Sequence, residues 1–225
     1  DSMLNKVWFW AALAVDIMDR NLYERANDCR WWALTSKFKT ILDKATVSPS
    51  EKETISEILT YINGLYTVYT NLFVYDANAK ILAVSNPTEE HLVGSVLTKD
   101  FARNTLALKE SSQYSVSCFS PSDLYGGRHT YIYGASITGN SKRVVGGIGI
   151  VFDSEPQFKA MLNDALPRDE KGDTGEGVFG VFADRKKMVI SCSDDSYQVG
   201  DTLNLDKDFF CMKNGEGTSK IIEFN

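Results

Sequence analysis

Residues 72–97 and 178–203 match without a gap at a fixed separation of 106 residues. Phe73 meets Phe179, Ala77 meets Ala183, Ser85 meets Ser191, Val93 meets Val199, Gly94 meets Gly200 and Leu97 meets Leu203. Asn78 meets Asp184 in a polar turn, and Val84 meets Ile190. Each copy reads as strand, polar turn, strand, loop and then Val-Gly-x-x-Leu. A duplicated supersecondary unit explains this, because chance does not preserve strand and turn chemistry together over such a length. The second copy is followed by far less chain, so the second module is expected to be the smaller one.

Ahead of the first copy the sequence reads as helix. Residues 3 to about 45 contain no Pro or Gly, and Ala26, Cys29 and Trp32 continue an apolar stripe begun by Leu13, Ile17 and Leu22. Such a helix is about 60 Å long, more than one small core needs. Ser48-Pro49-Ser50-Glu51 marks a fresh start, with Ser48 as N-cap, Pro49 at the first helical position and Glu51 closing a capping box. Ile55, Ile58, Leu59, Ile62 and Leu65 give that second helix an apolar face.

Strands follow at Leu72–Tyr75 and Ile81–Ser85, then a helix over Thr98–Glu110. Three more strands are expected at Tyr114–Phe119, Thr130–Ile137 and Val144–Phe152, and a helical connector at Gln157–Ala165. Lys220-Ile221-Ile222-Glu223-Phe224 reads as a strand with no partner after it, as in a piece of a longer protein. The predicted fold class is α+β: a long N-terminal helix with two PAS-like antiparallel-sheet modules.

Composition excludes several classes. With 12 Phe, 10 Tyr and 4 Trp among 225 residues, and 43% hydrophobic residues, the chain has ample material for cores. The net charge is −6 and no basic stripe occurs, which argues against nucleic acid as a partner. The apolar run Val7–Val15 falls short of the roughly 20 residues a membrane span needs. Cys29, Cys118, Cys192 and Cys211 share no close spacing and only two histidines are present, so no zinc pattern and no cofactor are expected. Spacing leaves a Cys192–Cys211 bridge open, with isolated thiols the simpler reading. No GxSxG, GxxxxGK[ST] or HExxH motif appears, so the chain is not read as an enzyme. Gly146-Gly147-Ile148-Gly149 lies inside a β-branched run, where close approach of a strand or ligand explains glycine better than a phosphate loop.

The segments LFVYDANAKILAVSN (72–86), HLVGSVL (91–97), TYIYGASI (130–137) with RVVGGIGIVFD (143–153), and GVFGVFADRKKMVISCS (177–193) together resemble the double Cache sensor domain. The resemblance runs over essentially the whole chain. DRNLYERANDCRWWALTSKF (19–38) resembles the helix of chemoreceptor-type members. The resemblance implies an extracytoplasmic, periplasmic sensor of a bacterial methyl-accepting chemotaxis receptor in the inner membrane, with a histidine kinase or diguanylate cyclase as the alternative output. A structural or adhesion module without ligand is a further alternative. It implies three parts: a signalling and dimerisation helix over 1–47, a membrane-distal ligand-binding module over 48–165, and a membrane-proximal module over 166–225. The implied partners are a small molecule (amino acid, amine, organic acid or purine) and a second copy in a homodimer.

The amino-acid-binding subgroup carries Arg-x-Trp-Tyr, a later Tyr and a terminal Asp. Here Arg103 stands for the Arg without the aromatic pair, and Asp153 matches the amine-binding Asp. Asp153 reads equally as a turn cap. Tyr131 and Tyr133 share one face of a strand, lining a pocket or filling a core. Ser115, Ser117 and Phe119 share a face of the preceding strand, with hydroxyls unusual for a pure core. Arg128 follows Tyr125-Gly126-Gly127 and is either a carboxylate clamp or a solvated loop residue. The candidate ligand-binding set is Arg103, Ser117, Phe119, Tyr125, Arg128, Tyr131, Tyr133 and Asp153. Arg30-Trp31-Trp32 reads as packing or a dimer contact, with a ligand stack as the sharper alternative.

Overall fold

The computed structural model describes residues 2–222. The chain divides into two compact units, one from Tyr23 to Ser154, the other from the residues up to Leu22 together with those from Glu155 on. Helix α1 (Ser2–Trp32) contributes to both, and α2 (Ser36–Leu42) and α3 (Pro49–Gly64) follow it.

The single helix expected to residue 45 is therefore two. After Trp32 the chain tightens, with Leu34 N–H donating to the Trp31 carbonyl (3.1 Å) and Thr35 N–H to that of Trp32 (3.1 Å). Thr35 Oγ1 also bonds the Trp32 carbonyl (2.7 Å), so a side chain satisfies a helix-end acceptor and the helix stops. The capping box of α3 is as expected: Glu51 N–H donates to Ser48 Oγ (3.3 Å) and Ser48 N–H to the Glu51 carboxylate (2.9 Å). The Lys44 side chain and the Ser48 hydroxyl and N–H hold the Glu51 carboxyl down to about 2. Its contribution to stability is present above the ordinary value of 4.5 and is lost as pH falls toward about 2. Replacing Ser48 by Ala is expected to cost about 1 kcal/mol at neutral pH, read from the urea midpoint at unchanged m-value.

The unit from Tyr23 to Ser154 is built on β1 (Tyr69–Asp76), β2 (Ile81–Val84), β3 (Ser115–Val116), β6 (Ile132–Thr138) and β7 (Val144–Phe152), with α4 (Lys99–Leu106) between β2 and β3. The short pair β4 (Ser120–Pro121) and β5 (His129–Thr130) sits apart from this sheet. The sheet order is β2-β1-β7-β6-β3, all neighbours antiparallel, as a PAS-like module requires. The expected strand Tyr114–Phe119 is only two residues long. Ile132 N–H bonds the Ser117 hydroxyl (2.9 Å) instead of a carbonyl, so a side chain ends the ladder there.

The glycine run of β7 is explained by β1. Phe73 pairs with Gly149 and Tyr75 with Gly147, and the two aromatic rings lie across the glycines. A Cβ on Gly149 would sit 2.1 Å from Phe73 Cζ, and one on Gly147 2.3 Å from Tyr75 Oη. Gly134 of β6 pairs with Gly149, and its Cβ would meet Phe101 of α4 at 2.8 Å. Phe73, Tyr75 and Phe101 thus form one aromatic layer, with ring centroids 5.9–6.5 Å apart, in space the glycines leave open. Gly146, next along β7 and so on the opposite face, abuts Leu42 of α2.

The other unit contains α5 (Ser154–Ala165, from Glu155 on), β8 (Val181–Ala183) and β9 (Val189–Cys192). Its hairpin repeats the turn and strand-end bonds of that of β1 and β2, apart from those of the Asn71 side chain, where Phe179 stands. Ser85 N–H donates to the Leu72 carbonyl and Leu72 N–H to Ser85 Oγ, both 2.8 Å; Ser193 and Gly180 do the same at 2.9 Å. Asp76 and Asp184 each accept from the residues two and four ahead, and Ala79 and Lys187 both have positive φ. The equivalent residues are therefore 108 apart in the hairpin. In Val-Gly-x-x-Leu they are 106 apart, since Gly94 bonds Ile81 as Gly200 bonds Val189. This corrects the ungapped match: the second copy has lost two residues between its second strand and Val199. Lys220–Ile222 forms no strand, and Glu223 and Phe224 of the expected C-terminal strand lie outside the described residues. All four cysteines are free, Cys29 and Cys192 buried, Cys118 and Cys211 exposed.

Candidate ligand-binding site

Between β4 and β5 the chain makes a tight excursion. Asp123–Tyr125 forms one 3-10 turn, capped by Ser122 Oγ accepting from Leu124 N–H (3.2 Å). Gly126 and Gly127 then adopt φ +62° and +76°, left-handed conformations that glycine reaches without strain. The chain doubles back and sets the Arg128 guanidinium 3.8 Å from the Tyr125 ring centroid, with Nε donating to the Tyr125 carbonyl (3.3 Å). The Tyr125 ring is buried in a core with Ile132 and Val151, and Leu124 packs against it. Its hydroxyl donates to the carboxylate of Asp153. Asp153 directly follows β7, held by its own N–H on the Val68 carbonyl (2.9 Å). Three of the eight expected residues thus form one connected group. It presents a carboxylate acceptor, a phenol and a guanidinium, the chemistry that receives an ammonium group at one end and an anion at the other.

Three more form an aromatic row. The Phe119 ring lies 5.1 Å from Tyr131 and 5.5 Å from His129; Tyr131 lies 6.5 Å from Tyr133, which stacks on Tyr114 at 6.3 Å. Tyr133 is buried, and burial first, then Tyr131 and Tyr114, push its hydroxyl above the ordinary tyrosine value. The remaining two stand apart. Arg103 lies on the exposed side of α4, paired with Asp100 at 3.0 Å. The Ser117 hydroxyl is spent on the backbone of Ile132 and Cys118.

Two polar groups were missed by sequence reasoning. Thr130 is buried, with its hydroxyl on the Phe152 carbonyl (2.5 Å) and the Ser154 hydroxyl (2.6 Å), which ties β5 to the end of β7 beside Asp153. On α1, Arg25 is only 5% exposed. Its Nε lies 3.7 Å from the Asp28 carboxylate, and its guanidinium lies over the Tyr69 ring at 5.3 Å. Tyr69 donates to Asp28. Burial raises the Asp28 carboxyl, against the lowering effects of Tyr69 and Arg25. Beside Asp28 a cavity of about 420 Å³ opens among Asn27, Arg30, Trp31 and Ser112. Arg25 and Asp28 share the face of Ala26, Cys29 and Trp32; charge inside an apolar stripe was the available signal. Cys29 itself, pushed up to about 12 mainly by burial, is an inert thiol.

Among the described residues no three His, Cys, Asp or Glu side chains group closely enough to hold a metal ion. No described helix is long and apolar enough to cross a membrane.

No family model and no curated protein matches the chain. Solved structures do. The sensor domain of the V. cholerae histidine kinase DctB superposes with a TM-score of 0.67 at 14% identity, over 87% of this chain and 68% of that one. The ligand-binding domain of the Campylobacter jejuni chemoreceptor Tlp3 in complex with 4-methylisoleucine superposes at 0.62 and 14% identity, over 88% and 74%. The same domain in complex with L-valine gives 0.60 and 13%, over 86% and 72%. The chain has the α+β fold of these sensory domains, the fold its sequence resemblance implied.

Proposed function

We propose that the chain is the extracytoplasmic sensory region of a membrane chemoreceptor, and that its first module binds a small molecule bearing an amine or carboxylate. The observation that carries this is the Tyr125–Asp153–Arg128 group at the end of β7, in a fold shared with domains solved with amino acids bound. The ligand-binding role falls to residues 48–165, the relay to 166–225, and signalling and homodimer contacts to the helical segment 1–47. No catalytic step is assigned. Binding favours one arrangement of the first module, and the differential affinity for the two arrangements is the signal. A sensor histidine kinase is the second reading, favoured by the likeness to the DctB domain.

The test is a thermal-shift screen with amino acids, amines, organic acids and purines. A ligand at 100 times its Kd stabilises by about 2.7 kcal/mol. For a chain of this length that raises the melting temperature by roughly 5–10 °C. Expected is a shift from one class, with amino acids or amines first. A flat response across all four classes would overturn the reading.

A further inference from the structure

We infer that the cavity between α1 and the Ser111–Ser112 turn is a second ligand site, and that it takes a small zwitterion with an aromatic body. Every residue around it belongs to the unit from Tyr23 to Ser154, and its volume of about 420 Å³ is that of a small-molecule site. Two opposite charges of α1 border it, Asp28 and Arg30. Side chains two residues apart do not face each other on a helix, so each charge finds other partners. The Asp28 carboxylate takes both of its contacts on one oxygen. Tyr69 Oη donates to Oδ2, and Arg25 Nε lies 3.7 Å from the same atom. Oδ1 accepts no hydrogen bond among the described residues, and the side chain is 20% exposed.

Arg30 is committed to neutral acceptors only. Its Nη1 donates to the Ser112 carbonyl (2.7 Å) and its Nη2 to Asn27 Oδ1. A guanidinium has five N–H donors, so some remain for an anion, and no described carboxylate pairs with it. Trp31 supplies the third surface. Its side chain is 75% exposed, and Leu34 beside it 44%, more than their apolar character favours. An open indole stacks a flat ring and draws an ammonium to its face.

Charge sets the class of the occupant. A simple amine would meet the charge of Arg30, and a simple acid that of Asp28. A molecule with an ammonium and a carboxylate satisfies both, and a ring between them covers Trp31. The Arg30–Ser112 bond joins residues 82 apart, so a ligand here grips α1 and the connection from α4 to β3 together. Occupancy therefore acts on the helix to which signalling is assigned. The site does not rest on the ligand assigned to the Tyr125 group.

The probes are L-phenylalanine, phenylethylamine and phenylpropanoate, which share a ring and drop one charge at a time. The indole N–H signals are followed by heteronuclear NMR on the whole chain, with that of Trp31 assigned by its loss in Trp31→Phe. The titrations are run in an Asp153→Asn background, so that binding at the first site is weakened and the two sites are told apart. Expected is a saturable shift of the Trp31 signal with millimolar phenylalanine, and affinity about tenfold or more lower for each singly charged probe. Arg30→Gln should erase the preference for phenylalanine over phenylethylamine and keep that over phenylpropanoate. Asp28→Asn should do the reverse; if loss of its charge beside Arg25 unfolds the chain, Arg30→Gln decides alone. No saturable shift at Trp31 overturns the inference. So do equal affinities for the three probes, which mark unspecific stacking on the indole. A Trp31 signal that moves with protein concentration and not with probe also overturns it, because a second copy then covers the cavity.

Discussion

Replacing Gly149 by Val is expected to destabilise the chain by about 3 kcal/mol or more, the upper range for overpacked cores, and to lower the urea midpoint accordingly. The cause is local and severe. The added Cβ would lie 2.1 Å from Phe73 Cζ and within 2.6 Å of both Phe73 Cε atoms, inside a layer that Tyr75 and Phe101 close from the sides. Phe73 is fully buried and has nowhere to go without displacing them. The same valine side chain would be tolerated if the ring were absent. Phe73→Ala alone should cost about 3–5 kcal/mol through its cavity. The double variant Phe73→Ala with Gly149→Val should cost less than the two single costs added, by about 1–3 kcal/mol. Strict additivity would show that Gly149 is needed for its backbone and not for the ring.

This slot was half legible in the sequence. Glycines inside a β-branched run announced a close approach, but nothing local said whether a ligand or a neighbouring strand makes it. The register does, by pairing Phe73 with Gly149 and Tyr75 with Gly147. The duplication shows the same limit. A two-residue slip keeps every side chain on its own face, because the strand period is two, so the ungapped match preserved the alternation and hid the deletion. Only the matching bonds that Asp76 and Asp184 accept in their own turns, and that Ser85 and Ser193 accept from Leu72 and Gly180, fix the true equivalence. Helix α3 was legible to the residue, because Ser48, Pro49 and Glu51 act within one turn. The end of α1 was not. Thr35 closes it through a side chain that helix propensity does not weigh.

The candidate site divides the same way. Asp153, Tyr125 and Arg128 were each singled out, but their meeting depends on Gly126 and Gly127 reversing the chain. Arg103 was chosen by its place in a motif, and what the motif did not tell is its helix face: one position on α4 separates the buried Ala102 from the exposed Arg103. Thr130 escaped because burial of a lone polar residue leaves no periodic signature, whereas Arg25 and Asp28 did interrupt the apolar stripe of α1.

Asp153→Asn separates a binding role from a structural one. Asparagine keeps an oxygen that accepts from the Tyr125 hydroxyl, so the unliganded chain should lose little stability. The charge is gone, however. For a ligand with an ammonium group, affinity is expected to fall about 100-fold, some 2.7 kcal/mol, measured by isothermal titration calorimetry. Tyr125→Phe should do the reverse. It leaves the carboxylate charged, so affinity falls about tenfold or less, but it removes the hydrogen bond to Asp153 and lowers the stability of the free chain by about 1 kcal/mol. The sign of the first effect carries the chemistry. An anionic ligand held chiefly by Arg128 would bind Asp153→Asn more tightly, because a nearby like charge has been removed. Unchanged affinity for ligands of either sign would leave the Tyr125–Asp153 bond as a clasp between the β4–β5 excursion and the end of β7, with binding to be sought elsewhere in the module.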